Sequence, residues 1–390
     1  MRLAMVHTTT RSILFFALMA GVLPMSLPLL AQQGDEEEEL AKYQPYRDYG
    51  TDWRLAALFG VTPEDGILVG PGAIVYKFAF RKFPYLYRME LVGGLTLKTG
   101  RWKFKYTAGF PALSEKLSLD ILAYASELEV RNFYGFGNNT PRDRTLERND
   151  FYRVLSRQYF LQPTARWSLA QGITPYTGAS LKHVRIRTQP ERFLSPARLD
   201  TLGESGWALG MGVGVDMKVG LDSLASLEGV RLSLSAWNFS YPFERRKPFQ
   251  KYAGEVRGYA GVGPFTLALR SAAEKVTGDA PFHEMAFLGG AGSLRGYNLN
   301  RFAGDASVLG SAEVRFHLFQ LKFVVTTYVG AFVFGDAGRV FVGGNSPGGW
   351  HADAGAGISL APVSRDMTFT VSVASSPEGV FVTGGVGFAF

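Results

Sequence analysis

From about residue 50 onward, apolar and polar positions alternate with a period of two, the spacing that sends successive side chains to opposite faces of a strand. In WHADAGAGISL, Trp350, Ala352, Ala354, Ala356, Ile358 and Leu360 share one face, while His351, Asp353, Gly355, Gly357 and Ser359 share the other. VRLSLSA sets Val230, Leu232, Leu234 and Ala236 against Arg231, Ser233 and Ser235. LGMGVGV sets Leu209, Met211, Val213 and Val215 against three glycines. After the first thirty or so residues, no stretch carries a comparable helical period or an apolar run long enough for a spanning helix.

The pattern predicts sixteen strands, near 51–60, 67–80, 87–98, 101–110, 117–127, 151–170, 175–187, 205–218, 228–239, 248–260, 264–275, 307–318, 321–336, 350–361, 367–374 and 379–390. The sixth is long and contains Pro163, so it reads as one strand or two pieces. The connections sort by parity. Those after strands 5, 7, 9, 11 and 13 are long (128–150, 188–204, 240–247, 276–306 and 337–349), whereas those after even-numbered strands are mostly short turns. A soluble sandwich has no reason to sort its loops in this way. A transmembrane barrel has one: an even strand number, short periplasmic turns and longer extracellular loops. Closure also removes sheet edges that lipid cannot satisfy. The predicted fold is therefore all-β, a 16-stranded antiparallel transmembrane β-barrel over residues 50–390.

Composition adjusts this picture at the edges. The 46 Gly, 30 Phe and 17 Tyr favour strands over helices. The absence of Cys excludes disulfides, thiolate metal sites and a cysteine nucleophile. A net charge of +7 is spread along the chain, which argues against a nucleic-acid surface. At the N-terminus, Arg2 and Arg11 precede SILFFALMAGVLPMSLPLLA, which has the layout of a secretory signal peptide over residues 1–31. Residues 32–49, with an acidic run from Asp35 to Glu39, read as a disordered periplasmic leader. The last strand ends on Phe388 and Phe390, which would share an apolar face with Val380, Val382 and Val386 and look like the terminal signal of an outer-membrane barrel.

Within the long connection 276–306 lies GGAGSLRGYNLNRF, where Arg295 stands alone among glycines and small residues. LRGY (Leu294, Arg295, Gly296, Tyr297) resembles the signature in the sixth extracellular loop of the BamA/TamA-type superfamily, the bacterial surface antigen barrels. SAEVRF puts Glu313 in the next strand, and FGDAG (Phe334 to Gly338, with Asp336 at its centre) resembles that family's F-x-D-x-G motif in the strand after it. The terminal Phe390 completes the set. The resemblance is strongest over 280–390; FRKFPY (80–85) and NFYGFGN (132–138) resemble surface-antigen barrels fused to phosphatase-like or lipase-like domains.

The chemistry of this set follows from the side chains. A guanidinium presents a planar fork that pairs best with carboxylates in two-point geometry. Glu313 shares a face with Ser311, Arg315 and His317 and should point into the lumen. Asp336 shares its face with Phe332 and Phe334, but a carboxylate in lipid is costly, so it too is placed inside. A sixth loop folded into the lumen would bring Arg295 to Asp336 first and Glu313 second.

Other candidate chemistry is weaker. GNSPG (344–348) matches G-x-S-x-G, yet Pro347 removes the N–H that an oxyanion would need. His183, His317 and His351 show no ligand spacing and read as lumen-facing polar residues. No catalytic residue, metal site or cofactor is expected. The resemblance implies a bacterial outer-membrane barrel that assists insertion or translocation of proteins or lipids. The expected partners are outer-membrane lipids, unfolded outer-membrane or secreted protein clients, and the barrel-assembly machinery for its own insertion. Fewer than twenty residues separate Ala31 from the first strand, below the roughly 40 that a domain needs. The POTRA domains that meet clients in that family are therefore not expected, which leaves open a passive pore or a platform for a separately encoded hydrolase.

Overall fold

Sixteen strands form one antiparallel sheet in chain order, each pairing with the next. They are β1 (Gly50–Thr62), β2 (Gly66–Ala79), β3 (Lys82–Thr96), β4 (Trp102–Phe110), β5 (Leu117–Asn132), β6 (Arg153–Trp167), β7 (Ile173–Arg187), β8 (Trp207–Val219), β9 (Gly229–Ser240), β10 (Phe249–Val262), β11 (Phe265–Gly278), β14 (Ala306–Lys322), β15 (Thr326–Phe341), β16 (His351–Pro362), β17 (Phe369–Ser376) and β18 (Gly379–Val386). Two short strands, β12 (Ala286–Leu288) and β13 (Phe302–Gly304), form a separate hairpin inside the connection between β11 and β14. The connection between β5 and β6 carries a single helical turn, α1 (Arg144–Arg148), capped by the Asp143 carboxylate. This computed structural model describes residues 48–62, 66–195, 206–220, 228–244, 246–322, 326–362 and 368–390; the signal segment and the acidic run lie outside them.

The period-two pattern becomes a wall with two chemistries. Outward rows are apolar and exposed, as with Met211 and Val213 on β8, Leu267 and Leu269 on β11, and Val371 and Val373 on β17. Inward rows carry paired charges. Arg166 on β6 donates to Asp120 on β5 and to Asp216 on β8, both at 3.0 Å. Arg270 on β11 donates to Glu255 on β10 at 2.7 Å. An apolar outside and a polar inside are what a barrel in lipid requires. The β5–β6 and β11–β14 connections turn inward, and buried clusters lie between them and the wall. One cluster packs Phe133 from the β5–β6 connection and Phe282 from the β11–β14 connection onto Val154, Val184 and Ile186.

Three strand details differ from the alternation pattern. β6 is one strand, with Pro163 opposite Ile121 of β5; its ladder to β7 is interrupted at Gln162 and Pro163, because proline has no N–H to donate. His183 points outward between Tyr159 and Trp207 rather than into the lumen, because its neighbours Lys182 and Val184 take the inward positions. The final strand stops at Val386 instead of running to Phe390. Gly387 adopts φ +82, which turns the tail away from the outward row of Val380, Val382 and Val386. Phe388 then packs on Phe332 at 5.6 Å, and Phe390 is buried. The two terminal phenylalanines thus sit inside the wall, not on its lipid face. β17 and β18, with 8 residues each, are the shortest strands of the sheet, and among the described residues β18 shares no ladder with β1.

Candidate functional site

The connection from β11 to β14, residues 279–305, is built as a hairpin that dips into the lumen and returns. Its tip, residues 289–297, is shaped by Gly289 and Gly290 at φ +113 and +95, a backbone that other residues rarely adopt. The tip closes on itself through Gly290 N–H, which donates to Leu294 O at 3.1 Å and to Tyr297 O at 3.0 Å. Leu294 is fully buried among Leu288, Tyr297, Phe302, Leu309 and Val340. This apolar anchor fixes where the next residue must point.

That residue is Arg295, which lies against the wall formed by β14 and β15. Its Nε and Nη2 donate to the two oxygens of Asp336 at 2.8 and 3.0 Å, and its Nη1 donates to Glu313 Oε2 at 2.7 Å. The guanidinium lies 3.4 Å over the ring of Phe334. The side chains of Arg295, Glu313 and Asp336 are 3%, 0% and 1% exposed, so these charges are almost wholly removed from water. Burial works against the Arg295 charge, but the hydrogen bonds and charges of Asp336 and Glu313 outweigh it and hold its pKa above the ordinary value. Phe332, Phe334 and Asp336 all face inward, while Val333 between them is exposed.

The remaining motif residues make room for this contact. A Cβ at Gly296 would meet Asp353 Cβ at 2.5 Å, so only glycine lets the tip lie this close to β16. Gly296 O accepts from Ser376 on β17 at 2.5 Å. Tyr297 is buried, and its hydroxyl donates to Ala352 O at 3.3 Å. A Cβ at Gly338 would meet Leu288 at 2.9 Å, so that glycine lets β12 settle on β15. Glu313 also accepts from Arg315 at 2.7 Å, and Arg315 donates to Phe390 O at 2.6 Å with its guanidinium 3.9 Å over the Phe388 ring. One continuous run of charge and aromatic contacts therefore links the loop tip to the tail of the chain.

Sequence reading missed four parts of this site. Asp353, directly opposite Asp336 in the β15–β16 register, is 7% exposed and lies against Gly296 of the loop tip. The polar row of β16 made it visible, but the register that faces it to Asp336 was not. Glu284, on the descending limb, ion-pairs with Lys182 of β7, and its carbonyl accepts from Lys251 of β10 at 3.5 Å. Burial would raise the Glu284 pKa, but Lys182, His283 and Lys251 outweigh that and lower it to about 2. The adjacent His283 is pushed down to about 3 by burial, which together with the surrounding cations outweighs the opposing Glu284 carboxylate. On the ascending limb, Arg301 donates to Glu378 in the β17–β18 turn at 2.7 Å and to Thr140 at 2.6 Å. Glu378 O also accepts from Arg142 and Arg144 of the β5–β6 connection, both at 2.9 Å. Ser346, the serine of GNSPG, donates to Val340 O at 2.6 Å and accepts from Arg339 at 2.8 Å, the bonding of a turn. Among the described residues no group of His, Asp or Glu has the arrangement of a metal site.

An all-β wall of apolar exterior and charged interior, with its longest connection pinned inside by a buried arginine, defines an outer-membrane β-barrel with an in-folded sixth loop. Residues 222–364, which include Arg295, Glu313 and Asp336, match the Omp85 superfamily domain. Among solved structures it resembles BamA from Haemophilus ducreyi lacking POTRA domains 1–3, at 14% identity and TM-score 0.61 over 87% of this chain and 71% of that one. It also resembles CdiB from Escherichia coli (15% identity, TM-score 0.55, 88% of this chain and 63% of that one). CdiB from Acinetobacter baumannii is similar at 10% identity and TM-score 0.50, over 86% and 65%. At these identities the likeness is one of fold, and the chain spans less than two thirds of either CdiB. No curated protein matches the chain.

Proposed function

We propose that this protein assists insertion or translocation of polypeptides or lipids at the bacterial outer membrane, with the sixth loop as a latched plug and the β1–β18 edge as the weak seam. The observation that carries the reading is the link between latch and seam. The buried Arg295 cluster continues through Glu313 and Arg315 to Phe390, while Arg301 of the same loop holds Glu378 at the other end of β18. The last hairpin is the shortest of the sheet; the loop grips its turn directly through Arg301 and its tail through the shared Glu313–Arg315 contact. Loop withdrawal would then release the strand whose outer edge lacks a ladder.

The test is insertion of a model barrel into liposomes that contain the purified protein. Faster insertion than into empty liposomes supports the reading, and equal rates sink it. A passive pore is the second reading, favoured by the charged interior wall of Asp120, Arg166, Asp216, Glu255 and Arg270. Planar-bilayer recording separates the two: a pore conducts steadily, whereas a latched barrel is closed until Arg295 is replaced.

A further inference from the structure

The outer wall carries a feature that neither latch nor lumen uses. On β6 and β7, Val154, Ser156 and Gln158 and, opposite them, Val184 and Ile186 are buried on the inner side. The intervening residues therefore face out: Arg157 and Tyr159 on β6, and His183, Arg185 and Arg187 on β7. Arg157 and Arg185 are direct cross-strand neighbours, and Arg187 is one pleat further on, opposite Leu155. Like charges opposite one another on a sheet are unfavourable unless something anionic lies between them.

Glu127, outward on β5, supplies one carboxylate. It ion-pairs with Arg157 and accepts from Arg187 at 2.8 Å. Two guanidinium groups thus share a single carboxylate, and the third, Arg185, which is exposed, has no carboxylate or hydrogen-bond partner among the described residues. The cluster sits at the end of the sheet from which the long connections spring, so it lies at the extracellular rim.

Its surroundings specify what kind of anion can reach it. A belt of rings runs around the same rim: Trp102 to Tyr159 at 6.3 Å, Tyr159 to His183 at 6.0 Å and His183 to Trp207 at 4.8 Å. Such belts mark the headgroup level of a bilayer. Directly below it the wall turns apolar and exposed, with Phe104, Leu161, Leu209 and Met211. An anion at the cluster therefore has hydrocarbon beneath it, the layout of a lipid with a charged head. Arginine forks bind phosphate oxygens two at a time, and basic groups at a membrane surface recruit phosphate-bearing headgroups.

We propose that Arg157, Arg185 and Arg187 form a headgroup site for a phosphorylated lipid of the outer leaflet, its acyl chains lying along the apolar wall of β4–β8. The proposal rests on this wall facing a membrane, and the test keeps the two ideas apart. Full-length protein purified in zwitterionic detergent is titrated, with native mass spectrometry as the readout, against lipid A carrying two phosphates and against the same lipid after dephosphorylation. Inorganic phosphate serves as a competitor. The expected result is a preference for the phosphorylated lipid that excess inorganic phosphate does not abolish. Arg185→Gln together with Arg187→Gln should weaken binding by roughly thirty-fold, about five-fold per charge at a membrane surface.

Equal binding of both lipids overturns the headgroup site while leaving the barrel in place. Loss of the preference on adding phosphate assigns the cluster to free anions and overturns the lipid. Binding of neither lipid, with a protein that needs no detergent, overturns the membrane wall itself. If the double variant does not show the heat-dependent gel shift of a folded barrel, the comparison of the two lipids on the unaltered chain decides alone.

Discussion

Replacing Arg295 by Gln keeps a side chain of similar reach but removes the charge and most of the fork. Asp336 would lose both side-chain bonds, at 2.8 and 3.0 Å, and keep one long contact to the Arg295 backbone N–H at 3.4 Å. Glu313 would lose its 2.7 Å bond but retain Arg315. Both carboxylates are almost fully buried, so the substitution strands one charge and weakens another rather than exposing either to water. Breaking a buried pair from one side costs about 3–5 kcal/mol. The lost contact with the Phe334 ring adds up to about 2 kcal/mol, though the two terms overlap. At about 1.4 kcal/mol per tenfold, the released tip becomes roughly 150- to 5,000-fold more populated relative to the docked one. Planar-bilayer recording of the two proteins at equal insertion reads this as open time. Arg295→Lys should fall between them, since it restores charge but not two-point geometry. If Arg295→Gln is as closed as the unaltered chain, with the heat-dependent gel shift showing both are folded, the latch does not hold the plug and the reasoning fails.

Three further outcomes follow from the same geometry. Asp353→Asn should raise the temperature of that gel shift, because it replaces one of two carboxyl groups facing each other across the β15–β16 register with a neutral amide that can donate to Asp336; a lower temperature would refute this. Gly296→Ala should loosen the tip nearly as much as losing Arg295, because its Cβ would meet Asp353 Cβ at 2.5 Å, and protease cutting within 289–297 measures it. The descending limb should detach on acidification: His283, lowered to about 3, and Glu284, lowered to about 2, both bind protons more readily once released. Their contribution is complete above about pH 6.5, declines as His283's unfolded value is passed, and falls further below about pH 4.5. Protection against hydrogen exchange across 282–288, corrected for the intrinsic slowing of exchange in acid, should therefore fall from pH 7 to 4, and a flat protection profile would refute the assignment.

Much of the wall was legible because a strand's period is local: Ala352 to Leu360 read as an outward row from their spacing alone and are outward in the structure. Asp336 was assigned inward on the cost of a charge in lipid, against two phenylalanines that pointed the other way, and the rings proved to be inward with it. The tail was misread because Val380, Val382, Val386, Phe388 and Phe390 continue one period without a break. Only the positive φ at Gly387 ends it, and glycines are too common in these strands to flag that turn. Glu284, Arg301 and Glu378 were invisible for another reason. Their partners lie as far as 236 residues away, and no periodicity reports which loops and strands meet inside a wall.

Arg301 of the loop holds the turn before β18, and Arg315, which shares Glu313 with Arg295, holds the tail after it, so the loop and the sheet edge form a single thermodynamic system. Whatever binds the free edge of that strand, whether β1, a client strand or a peptide, must alter the affinity of the sixth loop for its wall by the same factor by which loop docking alters the edge's own affinity. A peptide matching β18 therefore serves as a gauge of the latch: its dissociation constant should shift in Arg295→Gln, by at most the coupling factor between loop docking and edge binding. That makes the grip measurable without a client, a membrane potential or a transport assay.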